Sequence, residues 1–182
     1  MGDADKTLTF NRWSIALHWA MVVLFVLVYA LIELRVLFEK GSVPRDTMKN
    51  LHFMFGLLIF ALVWLRLFLR LRYPAPPIVP AVPAWQRLAS GSVQVALYAF
   101  MIAQPLMGWI VLSAAGKPIP FFGLHLPALV GLDKPFAESV EHLHSTVGRV
   151  FYAVIGLHAL AALVHHYLWK DNTLRRMLPG RA

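Results

Sequence analysis

Residues 144–170 read HSTVGRVFYAVIGLHALAALVHHYLWK. The run is apolar enough to enter a lipid bilayer, yet it carries His144, His158, His165 and His166. Imidazole in hydrocarbon is costly unless something uses it. His158 follows His144 by fourteen residues. At 100° per residue, that spacing returns a helix to within about 40° of the same face and about 21 Å further along its axis. A helix over this run therefore presents two histidines to one bundle interior, at two depths.

The rest of the chain is of the same kind. Its 182 residues suit one domain, 59% of them are hydrophobic and only 14% charged, which excludes an ordinary soluble domain. Four stretches reach the roughly 20 apolar residues that a bilayer demands. Their expected bounds are about 13–35, 49–72, 88–115 and 139–169, and only Glu141 and Arg149 break the charge-free run of the last. The first is too long and uninterrupted for a cleaved signal peptide. The absence of cysteine excludes a thiolate-held iron–sulfur cluster and thioether-linked haem.

The net charge of +8 is distributed as a topology signal, not as a nucleic-acid surface. Arg66, Arg70, Arg72 and Arg87 cluster around the end of the second span and the following loop. Lys170, Arg175, Arg176 and Arg181 fill the C-terminal tail against Asp171 alone, and Lys6 and Arg12 stand against Asp3 and Asp5 at the N-terminus. Positive residues mark the cytoplasmic side, so both termini and the middle loop are expected inside. That loop, YPAPPIVPAVPAW, is proline-rich and reads as a semi-rigid strap between spans two and three. The third loop is long enough for a short amphipathic segment around FFGLHLPALVGL, lying on the outer surface.

With that topology the histidines pair by depth. His18, near the start of the first span, matches His158 on the inner side; His52, near the start of the second, matches His144 on the outer side. Two imidazoles facing across a bundle core suit a flat iron porphyrin with both axial positions filled. Zinc is disfavoured: there is no cysteine and no HExxH, and the pairs lie too far apart for one tetrahedral site. His165 keeps the His158 face within about 20° and lies about 10 Å nearer the cytoplasm, placed to contact a ligand or carry a proton. Trp169 and Lys170 follow one turn later, where an interfacial anchor pair is the alternative. Arg149 points away from both expected ligands; snorkelling, a pairing with Glu33 or an outer cavity would each accommodate it.

Several stretches together resemble the bacterial cytochrome b561 family: ALHW at 16–19, LRLFLRLRYPAPPIVP at 65–80, the His144–His158 spacing, and GLHALAALVHHYLWKDNTLRRMLP at 156–179. The resemblance implies an all-α integral four-helix bundle of the bacterial inner membrane, with both termini cytoplasmic and two b-type haems in its core. It implies haem ligation by His18 with His158 and by His52 with His144, and a quinone site at His165, Trp169 and Lys170. It implies oxidation of superoxide at the outer side, with electrons passing through two haems to ubiquinone. Arg35, Lys117 and Lys134 are then the outer cations that would steer superoxide. The alternative is a membrane cytochrome subunit linking a soluble dehydrogenase or hydrogenase partner to the quinone pool.

Overall fold

The computed structural model describes residues 8–179. Lys6, Asp3, Asp5 and Arg181 of the charge reading lie outside the described residues. Four long helices follow one another: α1 (Arg12–Leu34), α2 (Val43–Arg72), α3 (Ala84–Ala114) and α4 (Lys134–Tyr167). All four are long and apolar enough to cross a membrane. Helices α2, α3 and α4 begin four to six residues earlier than hydropathy predicts, because polar first turns are helical too. Pro44 sits in the first turn of α2, and the Asp133 carboxylate caps α4 by accepting from the Phe136 N–H at 3.0 Å. Asn11 does the same for α1 through the Trp13 N–H.

Consecutive helices pack against each other, α1 on α2, α2 on α3 and α3 on α4. The ring closes through side chains: the Tyr29 hydroxyl donates to the Gly148 carbonyl at 2.9 Å, and the Tyr29 and Tyr152 rings sit 4.4 Å apart. Many large apolar side chains remain exposed on the outward faces, among them Val26, Trp64, Phe68, Val95, Val150 and Leu160. Such a surface suits hydrocarbon, not water. One core cluster, Met21, Ile59, Val63 and Met101, joins α1, α2 and α3 at mid-height.

The two ends differ. At the end where the described chain begins and finishes, residues after α4 fold back over the proline-rich loop. Asn172 accepts from the Val79 N–H at 2.8 Å through its side chain and donates to the Val79 carbonyl at 3.1 Å through its backbone. The Arg176 guanidinium donates to the Pro76 carbonyl and lies over the Phe10 ring, the Phe10 N–H donates to the Arg176 carbonyl at 3.0 Å, and the Trp19 indole donates to the Met177 carbonyl at 2.7 Å. Proline has no N–H but keeps its carbonyl, so the loop supplies the acceptors that these groups seek.

At the opposite end the expected amphipathic surface segment contains a β-hairpin. Strand β1 (Ile119–Phe121) pairs antiparallel with β2 (Leu124–Leu126). Its two-residue turn, Phe122–Gly123, has positive φ at both positions (46° and 85°), the primed turn that matches strand twist. The hairpin packs through Ile119 onto Leu57 and Leu112, and the Trp109 indole donates to the Pro127 carbonyl at 2.9 Å. Gly116 ends α3 with φ 66°; its N–H reaches the Ser113 carbonyl and the Lys117 N–H the Leu112 carbonyl. A Cβ at Gly116 would stand 2.9 Å from the Leu132 side chain.

Candidate electron-transfer site

His52 of α2 and His144 of α4 face each other near the hairpin end, with ring centroids 6.3 Å apart and planes at 82°. The same nitrogen of each ring is occupied by a backbone oxygen: His52 Nδ1 donates to the Val28 carbonyl at 2.9 Å, and His144 Nδ1 to the Gln104 carbonyl at 3.1 Å. In the neutral imidazole this tautomer leaves Nε2 free of its proton, the arrangement in which a histidine serves as a metal ligand. Gln104, itself 6% exposed, returns its amide to the His144 carbonyl at 3.1 Å.

The pair fits a porphyrin iron. Metal–imidazole bonds of about 2 Å on each side, with about 1 Å more from nitrogen to ring centre, separate two axial rings by about 6 Å. Each histidine is followed four residues later, on the same face, by a glycine: Gly56 on α2 and Gly148 on α4. A Cβ built on either meets nothing within 4 Å, so no neighbouring side chain fills the space at these two positions, whereas a Cβ at Gly108 of α3 would stand 3.6 Å from His144 Cε1. Among the described residues no third His, Cys, Asp or Glu joins them in a metal cluster.

His18 of α1 and His158 of α4 occupy the other level. Both are half-buried and lie within electrostatic range of each other and of Arg66 on α2. Tyr98 of α3 lies against the same guanidinium. All four helices therefore contribute to this level. Sequence reading grouped Arg66 with the loop cations. It instead lies six residues inside α2, fourteen after His52, repeating the spacing of His144 and His158 on α4.

Between the levels runs an aromatic stack. Phe25 of α1 lies 6.1 Å from Phe100 of α3 at 19°, and Phe100 lies 3.9 Å from Phe151 of α4 at 10°. Phe25 is seven residues from His18, and Phe151 is seven from both His144 and His158. Two helical turns keep each phenylalanine on its histidine's face, the signal by which sequence reading could have found the stack.

His165 Nδ1 contacts the Asp171 carboxylate, and the Trp169 ring stands 4.5 Å away, edge-on at 83°. Asp171 is 4% exposed and also accepts from the Thr173 N–H at 2.8 Å. Burial alone would raise its carboxyl pKa, but the bonds from His165 and Thr173 outweigh it and hold the group below the usual carboxylate range. Lys170, with φ 54°, makes the turn that brings Asp171 back beneath His165; its own side chain is exposed. Of the outer cations, Arg35 is half-buried within electrostatic range of His52, whereas Lys117 and Lys134 are exposed at the same end. The pairing offered for Arg149 does not form: Glu33 accepts instead from the Tyr152 hydroxyl at 3.1 Å, and Arg149 is exposed. His125 lies exposed on β2.

A family model described as prokaryotic cytochrome b561 matches residues 9–180. The chain belongs to the prokaryotic cytochrome b561 family. It is 37% identical over 172 residues to cytochrome b561 homolog 1 of Escherichia coli, covering 94% of this chain and 98% of that one. It is 40% identical over 176 residues to the probable superoxide oxidase CybB of Yersinia pestis, covering 94% and 97%. Cytochrome b561 homolog 2 of Escherichia coli is 29% identical over 166 residues, covering 91% and 88%. This cytochrome b561 is thus a multi-pass bacterial membrane protein of electron transport, in a family that binds haem b.

Proposed function

We propose that this cytochrome b561 holds two haems and transfers electrons from superoxide, taken on the outer side of the inner membrane, to ubiquinone near the cytoplasm. The observation that carries the reading is the His52–His144 pair, facing at 6.3 Å with each Nδ1 satisfied by a carbonyl. His52 and His144 hold one haem and His18 and His158 the other. When bound, each haem supplies reversible one-electron chemistry at its iron. The Val28 and Gln104 carbonyls fix the tautomer that leaves Nε2 free for the metal.

Charge orients the protein. Arg70, Arg72, Arg87, Lys170 and Arg175 gather at the end where the described chain begins and finishes, which supports a cytoplasmic position for it. The hairpin end then faces outward. Arg35, beside His52, draws the superoxide anion toward the outer histidine pair, and Lys117 and Lys134 extend the positive field. At the cytoplasmic end His165 offers Nε2 to a quinone oxygen, with Trp169 flanking it and Lys170 beside the entrance. Proton delivery from His165 is supported by Asp171, which stabilises the imidazolium each time it forms. The reaction balances as 2 O2•− + ubiquinone + 2 H+ → 2 O2 + ubiquinol. Similarity to a relative named a probable superoxide oxidase supports superoxide as the donor.

The test is quinol formation by the purified chain with ubiquinone under a steady superoxide supply. One ubiquinol per two superoxide consumed, above the spontaneous rate, is expected. Haem reducible by dithionite with no chain-dependent ubiquinol would reject superoxide as donor and favour a soluble dehydrogenase or hydrogenase partner.

A further inference from the structure

The Arg66 guanidinium is a half-buried cation at the level of His18 and His158, inside a membrane-length helix. Among the described residues it forms no ion pair; those present join Lys49 to Asp46 and His165 to Asp171. The side chain found against it is Tyr98, which can offer a hydroxyl dipole but no charge. A cation at such a depth is expensive unless an anion meets it. The fourteen-residue spacings from His52 to Arg66 on α2 and from His144 to His158 on α4 put Arg66 on the core face of its helix, level with His158. Haem b carries two propionate carboxylates and thus brings anions to a site whose other described members, His18, His158 and Tyr98, carry no carboxylate.

We infer that Arg66, steadied by Tyr98, binds a carboxylate of the haem held between His18 and His158, as a positioning and charge-neutralising residue. The inference rests on the haem assignment under Proposed function. Guanidinium is suited to the role because its planar fork matches a carboxylate and its charge survives burial. A fixed positive charge beside the haem favours the reduced form, which carries one positive charge fewer. It would therefore raise the potential of the cytoplasmic haem above the value it would have without Arg66, and so favour electron flow inward. A quinone oxyanion is the other anion that a buried guanidinium could meet, and the experiment separates the two.

The experiment is an equilibrium redox titration of the purified full-length holoprotein, wild type against Arg66→Gln and Arg66→Lys, followed by haem absorbance. In Arg66→Gln the haem of the His18–His158 pair should become at least tenfold harder to reduce, about 59 mV for a one-electron couple. The other haem should keep its potential and spectrum, which certifies the fold, and Arg66→Lys should restore most of the shift. Unchanged potentials for both haems would overturn the inference. Unchanged potentials with a raised KM for quinone would also overturn it and assign Arg66 to the quinone. Loss of one haem from Arg66→Gln but not Arg66→Lys would support it; the same loss from both would overturn neutralisation by charge. Superoxide takes no part in the titration, so failure of the superoxide reaction leaves the result standing. A wild-type chain without the cytoplasmic haem would overturn both readings, and haem content shows that directly.

Discussion

Gln104 and His144 hold each other reciprocally: the His144 imidazole donates to the Gln104 carbonyl and the Gln104 amide donates to the His144 carbonyl, each at 3.1 Å. Helices α3 and α4 are thereby tied at the height of the His52–His144 pair, which is proposed to hold a haem. In Gln104→Leu the amide is lost while the backbone acceptor stays. The net loss of one buried hydrogen bond costs about 1 kcal/mol of stability. Because outer-shell partners orient metal ligands, affinity for the haem at His52–His144 should fall about 10-fold or more. Haem retention during dilution, read in the absorbance of the outer haem, measures it.

Phe100 is 6% exposed and sandwiched between Phe25 and Phe151. Truncation leaves a cavity between the two histidine levels, with little backbone freedom to close it. Phe100→Ala should cost about 3–5 kcal/mol, whereas Phe100→Leu should cost clearly less. Unfolding in detergent, followed by helical signal and haem release together, distinguishes the two.

Asp171 carries a pH prediction. Its folded pKa is held below the ordinary carboxylate value, so its ion contributes stability that is fully present above about pH 4 and lost as pH falls through the lower folded value. The His165–Asp171 contact should therefore persist across about pH 5 to 8 and fail only on stronger acidification. Asp171→Asn removes the anion at every pH. It should slow quinone reduction and shift its pH profile while both haems remain. An unchanged profile would mean that Asp171 serves only the turn after α4.

Asn172 meets Val79 with both backbone and side chain. Asn172→Ala keeps the backbone bond and forfeits the side-chain one. The C-terminal segment should loosen from the proline-rich loop, with faster proteolysis near residues 168–179 and little change in haem content. Equal protease resistance in wild type and variant would contradict the clamp.

How far the sequence carried the structure differs from element to element. The helices were legible because a bilayer fixes both length and polarity, and only their polar first turns were undercounted. That His52 faces His144, with His158 on the same helix face as His144, was legible because fourteen residues nearly complete four turns. Arg66 obeys the same rule from His52 but was masked by its neighbours, since Arg70 and Arg72 make it resemble one more loop cation. The hairpin was missed because FFGLHLPALVGL has the apolar weight of a segment lying on the membrane surface; the primed turn at Phe122–Gly123 decides its conformation locally. Asp171 looked like a lone acid in a basic tail. Its contact with His165 depends on the left-handed turn at Lys170, which composition does not reveal.

The central claim is that two histidine pairs at two levels each hold one haem, and counting haem per chain in single-histidine variants tests it most directly. The wild-type chain should carry two b-type haems. His52→Ala and His144→Ala should each lose the same one, and His18→Ala and His158→Ala the other, with the remaining spectrum intact. Retention of two haems after any of these substitutions, or the same haem lost from His52→Ala and His158→Ala, would contradict it.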